Sequence, residues 1–429
     1  MTTVLWAAGL LVRLALVLFI VVPTVVQVRA CSAPPRDDAA RVGEVRAQLA
    51  FLGTSLRDHA VVERMQTQFP EGACFLATLH ASSWAEVARA STDDEVRVRA
   101  AEEVTCALGV IASPAATSPF EDTQVRRGVL WAGQRNLVLA ELLALIPEER
   151  RDPAMVEEFH TLSRELADAF VASPTHHLET YPGGCWPADQ VAALASLVAH
   201  DRLFATDFGR AARAWIAWTT AHLDPTTGLP AGRIDGRTGA AIEPARGCGT
   251  SWILALLPRI DPALAREFWR RYVDRLGRTR LGFRVFAEWP EGADRDADVD
   301  SGPIVWGAGT AATGIGLAAA RANGDLAAAT DIYSLAQALG LPSSSHEPEE
   351  KSYLCGEVPI ADAFLAFGLS IGSPPDARDD ARGAFDLVRD RWKFHALVTT
   401  FQVALLAVLL HGVRRSRRKG TDAQRAATR

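Results

Sequence analysis

Several things are missing from this chain, and each absence closes a line of explanation. None of the six cysteines stands in a CxxC pair, so a structural zinc site has no scaffold. No H-E-x-x-H spacing links His176, His177 or His200 to an acid, which removes the zinc-protease pattern. Gly307, Gly309, Gly314 and Gly316 lack the spacing of a nucleotide loop and follow no strand; they read as close helix contacts. The alternation Asp294-x-Asp296-x-Asp298-x-Asp300 fails as an EF-hand, because counting from Asp296 puts Ser301 and Gly307 where glycine and an acid belong. Lysine is scarce, and a net charge of −6 gives no electrostatic reason to bind nucleic acid. Strand-like alternation is nearly absent, Phe283 to Phe286 being the best short candidate. No cofactor and no metal is expected.

What is present is helical. Hydrophobic residues make up 48% of the 429 positions, ample for a large core. They recur at three- and four-residue spacing over 42–56, 130–146, 155–171, 191–204, 211–223, 263–276, 304–320, 326–339 and 358–369. The helices come in pairs with one more apolar member. Six such hairpins need roughly 300 to 350 residues, which the stretch 41–389 supplies. The expected fold is all-α, an (α/α)6 toroid of the six-hairpin glycosidase-like type. In such a ring the apolar helices lie inside, and the loops at one end of them line a central funnel.

Both ends are hydrophobic. Residues 14–28 are largely apolar, and 4–12 extend the run past Arg13; together they reach the roughly 20 residues a bilayer core requires. The shorter run fits a signal segment, with Val28-Arg29-Ala30 as a cleavage site. At the other end 396–413 is apolar apart from Thr399, Thr400, Gln402 and His411. Arg414, Arg415, Arg417, Arg418 and Lys419 follow, a cluster that stays cytoplasmic by the positive-inside rule. The expectation is therefore an anchor or signal segment over 1–30, a transmembrane helix over 395–413 and a basic cytoplasmic tail over 414–429. The membrane would be a partner, with the main domain facing the periplasm or cell exterior. Cys74 and Cys106 would have a local disulfide open to them in such a compartment.

Three polar clusters stand just ahead of apolar runs: Cys185-Trp186-Pro187-Ala188-Asp189, Arg246-Gly247-Cys248 and Asp298-Val299-Asp300-Ser301-Gly302-Pro303. Loops at one end of a ring converge, so these clusters predict one shared cleft. Hydrolysing a glycosidic bond takes two carboxyl groups, one protonated and one ionised. Asp189 is the first candidate, with Trp186 as apolar neighbour and sugar platform; helix capping is its plainer role. Asp300 and Glu288 are the candidates for the second. Cys185, Arg246, Cys248, Asp298 and Trp289 are candidate binding residues.

The order Trp186-Pro187-x-Asp189, Arg246-Gly247-Cys248-x-x-Ser251-Trp252, Glu288-Trp289-Pro290 and Asp298-x-Asp300-Ser301-Gly302-Pro303 resembles uncharacterised bacterial six-hairpin proteins of the (α/α)6 class. The hairpin from Cys185 to Asp201 is also similar to that of linalool dehydratase/isomerase, with His200-Asp201 near its end. The first resemblance implies a toroid. The second implies cysteine, histidine and acidic side chains converging on a terpene alcohol. The leading expectation is a membrane-anchored glycosidase-like enzyme acting on a carbohydrate. Its rivals are a lyase or isomerase working on an alcohol through Cys185 or Cys248, and a toroid that binds a glycan or an envelope protein without turnover.

Overall fold

The computed structural model describes residues 14, 17–293, 295–346, 349–375, 377 and 382–427, without the side chains of 346, 409 and those beyond 411. After α1 (Val22–Arg29) come α2 (Asp38–Arg57), a short α3 (His59–Gln68), α4 (Gly72–Ala90), α5 (Asp94–Ile111), α6 (Gly128–Leu145) and α7 (Pro153–Ala172). The chain continues through α8 (Gln190–Phe204), α9 (Arg210–Ala221), α10 (Gly247–Leu256), α11 (Pro262–Arg275), α12 (Thr310–Ala322), α13 (Leu326–Leu339) and α14 (Pro359–Ser370). It ends with α15 (Ala384–Asp390) and α16 (Trp392–Ala427).

Six helices close a ring in which each packs on the next: α4, α6, α8, α10, α12, α14 and back to α4. These are the helices with almost no exposed face. The outer layer is α2, α5, α7, α9, α11 and α13, each laid against the inner helix beside it in sequence. Phe159, Phe170, Trp215, Phe268 and Tyr272 point inward from that layer and are fully buried, each worth about 2–3 kcal/mol of burial. This is a two-layer α/α toroid. The expected inner helix over 191–204 is α8. The run over 304–320 is not one helix: β5 (Ile304–Val305) and β6 (Ala308–Gly309) form a hairpin first, turning at Trp306 and Gly307, which both have positive φ, and α12 begins only at Thr310. The other hairpins pair β1 (Arg233–Ile234) with β2 (Ala241–Glu243), β3 (Gly277–Arg280) with β4 (Phe283–Phe286), and β7 (Ser343–His346) with β8 (Glu349–Ser352).

The two layers start differently. Outer helices α2, α5, α7, α11 and α13 are each capped by an aspartate, Asp37, Asp93, Asp152, Asp261 and Asp325, whose carboxylate accepts a backbone N–H of the first turn. No inner helix has a side-chain cap of its own. Other segments supply the acceptors instead. Glu179 O takes Val129 N–H at 3.0 Å, Glu288 O takes Gly247 N–H at 2.7 Å, and Ser301 O takes Ala311 N–H at 3.1 Å. The side chains at those inner-helix entrances are thereby left available.

The membrane expectation is corrected by the terminal helices. Among the described residues no helix is long and apolar enough to cross a membrane, so the flanking transmembrane helices, the membrane anchor, the membrane partner and the membrane location all lose their basis. Residues 4–13 and the side chains of Arg414, Arg415, Arg417, Arg418 and Lys419 lie outside the described residues. The apolar runs are interrupted by a polar seam between α1 and α16. Gln27 Nε2 donates to Gln402 Oε1 at 3.0 Å, and Gln402 Nε2 donates to Thr24 Oγ1 at 3.2 Å. The pair docks on the ring through Ala30, Phe283, Ala338 and Phe394. Buried Arg391 fastens it, bonding Ala30 O and, at 2.7 Å, Asp331. All six cysteines are free, so the Cys74–Cys106 bridge is absent as well.

Candidate functional site

Inner helices alternate with outer ones along the chain, so all inner helices run the same way and their N-termini share one end of the ring. A pocket of about 700 Å³ opens there, inside the range of roughly 300–1,000 Å³ typical of small-molecule sites. Three inner-helix entrances place charge on its wall: Glu71 before α4, Asp189 before α8 and Arg246 before α10.

Asp189 does not cap. Pro187–Asp189 form a 3-10 turn ahead of α8, and Asp189 Oδ2 accepts the Thr180 hydroxyl at 2.5 Å. Burial pushes its carboxyl up to about 8; the neighbouring Glu71 and Asp300 add to the push, while Thr180 and Arg246 oppose it. Glu71 is 9% exposed and takes a hydrogen bond from the Tyr181 phenol. Burial raises it to about 7 against that hydrogen bond, with Asp300 contributing repulsion. Tyr181 is stacked on Phe120 and meets Trp186 edge-on, making an aromatic shelf beside both carboxyls.

Arg246 organises the other wall. Its Nε donates to Glu288 Oε1 at 2.7 Å, its Nη2 donates to Asp298 Oδ1 at 2.7 Å, and its Nη1 lies 3.7 Å from Asp300 Oδ2. The guanidinium also covers the ring of Trp289. Glu288, 1% exposed, accepts both the Cys248 N–H at 3.1 Å and the Cys248 thiol at 3.0 Å. Burial holds Glu288 above the ordinary carboxylate range despite Arg246. Gly247 is required for this approach, since a Cβ there would sit 2.2 Å from Ala287 O. Asp298 closes a turn by accepting Ser301 N–H at 2.9 Å, which aims Asp300 back at the pocket. Burial works against ionising Asp298, but Arg246 and Ser301 outweigh it and keep the carboxyl low. Asp300 moves the other way, raised by burial against Arg246. Its side chain keeps 44% of its surface open, so water reaches it and the upward push is weaker than at Asp189.

Of the residues picked from the sequence, Asp189, Asp300, Trp186, Arg246 and Cys248 line this pocket. Glu288 and Asp298 stand behind Arg246 as its partners, and Trp289 lies under the guanidinium. Asp294 lies outside the described residues. Cys185 is elsewhere, buried against Ala231 and Ile234 with its thiol on Leu178 O. The Cys248 thiol is held well above its ordinary range, by burial first and by Glu288 next. Burial and Glu288 both work against ionising Cys248, and among the described residues no second cysteine lines the pocket. Glu71, Thr180 and Tyr181 were not foreseen. Glu71 had a signal: Glu71-Gly72 ahead of an apolar helix repeats the arrangement of Arg246-Gly247.

No family model matches the chain. Among solved structures it is similar to an unsaturated glucuronyl hydrolase specific for heparin, with a TM-score of 0.49 and 11% identity over 78% of this chain and 96% of that one. That likeness is too distant to carry fold or chemistry, which rest on the helix order and the pocket residues.

Proposed function

We propose that the pocket is a glycosidase-like acid/base site acting on a carbohydrate. Asp189 is the general acid: a carboxyl raised to about 8 holds its proton at neutral pH and can give it to a leaving oxygen. Asp300 is the second carboxyl, kept more acidic by open surface and by Arg246, and it activates water or attacks the sugar. Glu71 keeps Asp189 protonated by crowding a third carboxyl into the same wall. Glu288 acts through Arg246 and is a positioning residue. Trp186 and Tyr181 supply the face for a sugar ring. The observation that carries this reading is the Asp189 carboxyl, freed from capping and aimed into a pocket it shares with two other carboxyls.

The test is hydrolysis of a panel of chromogenic glycosides and unsaturated and saturated oligosaccharides by the wild type, Asp189→Asn and Asp300→Asn. Each variant should lose a factor of roughly 10² or more in kcat while keeping the native circular dichroism and a cooperative thermal transition. A wild type that binds glycans but turns none over would make the toroid a binding protein and end the enzyme reading.

A further inference from the structure

We infer that the substrate is amphipathic, a polar glycosyl head joined to a hydrocarbon chain, and that the chain leaves the pocket sideways through the ring wall. This deepens the reading above and rests on it for the identity of the head. The pocket is divided by sector. Its carboxyls and Arg246 come from the entrances of α4, α8 and α10 and from the loop carrying Asp300, whereas the sector between α12 and α14 offers Ile315, Ile360 and Phe364. It also does not stop at the inner layer. Leu335 and Leu339 belong to the outer helix α13, and Phe394 belongs to α16, yet all three line the same cavity.

At the outer end the apolar wall comes to the surface. Val305 is 53% exposed, Trp306 69%, Leu339 56% and Leu354 39%, and each of the four lines the pocket. Trp306 sits at the tip of the β5–β6 hairpin with φ of 51°, a left-handed conformation that costs a bulky residue energy; Arg280 Nε holds it by donating to its carbonyl at 3.0 Å. A free sugar would leave this strip against water. A hydrocarbon chain attached to the sugar covers it, because the strip is continuous with the carboxyl-lined end and, among the described residues, has no charged group of its own apart from Arg280, which is turned to the Trp306 backbone.

The experiment measures binding separately from turnover. Quenching of tryptophan fluorescence is followed with n-alkanols and n-alkyl β-glucosides from four to ten carbons, below their micelle concentrations. Wild type, Asp189→Asn and the double variant Leu339→Asn/Trp306→Ala are compared. Affinity should tighten about fourfold per added methylene in the wild type and in Asp189→Asn. In the double variant the dependence should flatten beyond the first few carbons, with four-carbon probes bound as before. Equal affinity from four to ten carbons would overturn the proposal, as would a chain-length dependence that the double variant leaves intact. If instead the length dependence appears and no glycoside in the panel is hydrolysed, the tail site stands and the glycosidase reading falls. Hydrolysis of short glycosides with no gain from longer chains has the opposite meaning.

Discussion

The two ends of the ring use the same residue types to opposite effect. At the base, where the inner helices finish, Glu86 and Glu141 share Arg259, with contacts of 3.1 and 2.7 Å; Arg89 adds a second cation to Glu86 and Ser82 donates to Glu141. Burial alone would raise Glu86, but Arg89 and Arg259 reverse it and the carboxyl ends below its usual range. At the mouth Glu71 and Asp189 have hydroxyl partners, Tyr181 and Thr180, and among the described residues no cation in direct contact; burial wins and both rise. The contrast separates a closed, charge-satisfied floor from a mouth that keeps protons ready. Whether a buried carboxyl stabilises the fold or is poised to react depends on the partner set beside it.

Removing the cation from the floor should produce the largest effect. Arg259→Ala leaves Glu86 and Glu141 short of a partner and should cost about 2–3 kcal/mol of stability, a figure reduced for the partial exposure of the arginine. Urea unfolding measures this, and activity per folded molecule should not change. An equal loss of specific activity would mean the two ends are coupled and the division is wrong.

Next comes Arg246→Gln at the mouth, which unties Glu288, Asp298 and Asp300 together. Turnover should fall by about 10–100-fold, with a smaller change in KM than in kcat if the arginine serves mainly to place Asp300. Arg246→Lys should recover little, because one ammonium cannot reproduce the fork to Glu288 and Asp298. Full recovery by lysine would reduce the role to charge alone.

The pH dependence of stability sharpens the comparison further. Asp189 binds its proton more tightly folded than unfolded, so its stabilising contribution is complete below about pH 4 and is lost as pH rises toward about 8. Glu71 follows the same course toward about 7. Glu86 has the reverse sign, as does Glu103, which is held at about 2 by His80 and Arg57 against its burial; their contributions are present above the unfolded value near 4.5 and fade as pH falls. Thermal stability should therefore peak on the acidic side of neutrality and decline by about 2–5 °C between pH 5 and pH 8.5. In Asp189→Asn that decline should shrink. An unchanged slope in the variant would remove Asp189 from the titrating cluster. Activity should fall over the same alkaline limb as the acid loses its proton.

The smallest change expected is in Tyr181→Phe. Loss of the phenol removes the hydrogen bond that opposes the rise of Glu71, so Glu71 stays neutral to higher pH and repels Asp189 less; the alkaline limb of activity should move downward slightly and kcat should change by only about two- to fivefold. A loss comparable with that of Asp189→Asn would promote Tyr181 to a catalytic residue.

Much of this architecture is visible in the amino-acid string. Apolar periodicity marked nine helical stretches that correspond to α2, α6 to α9 and α11 to α14, because burial on one face or all round leaves a direct trace in composition. It passed over α4, α5 and α10, which include the inner helix that carries Glu71 to the mouth. Three of the polar clusters written ahead of inner helices were legible for the same reason: a charged residue beside a buried helix is conspicuous. The terminal runs misled, since hydropathy along a line does not reveal that Gln27 and Gln402 face each other across two helices.

What the sequence determined by itself is the alternation of more and less apolar helices, which permits a two-layer ring, and the presence of aspartates that start the outer helices. Both are local: periodicity acts within one helix and a cap within one turn. The site is not local. Glu71, Asp189 and Asp300 are separated by more than a hundred residues at each step along the chain, and only closure of the ring puts them on one wall. Closure also sorted the carboxyls, giving Arg259 to the floor and leaving Asp189 with a hydroxyl. A carboxyl's proton affinity depends on its desolvation and its nearest charges, and both are set by packing.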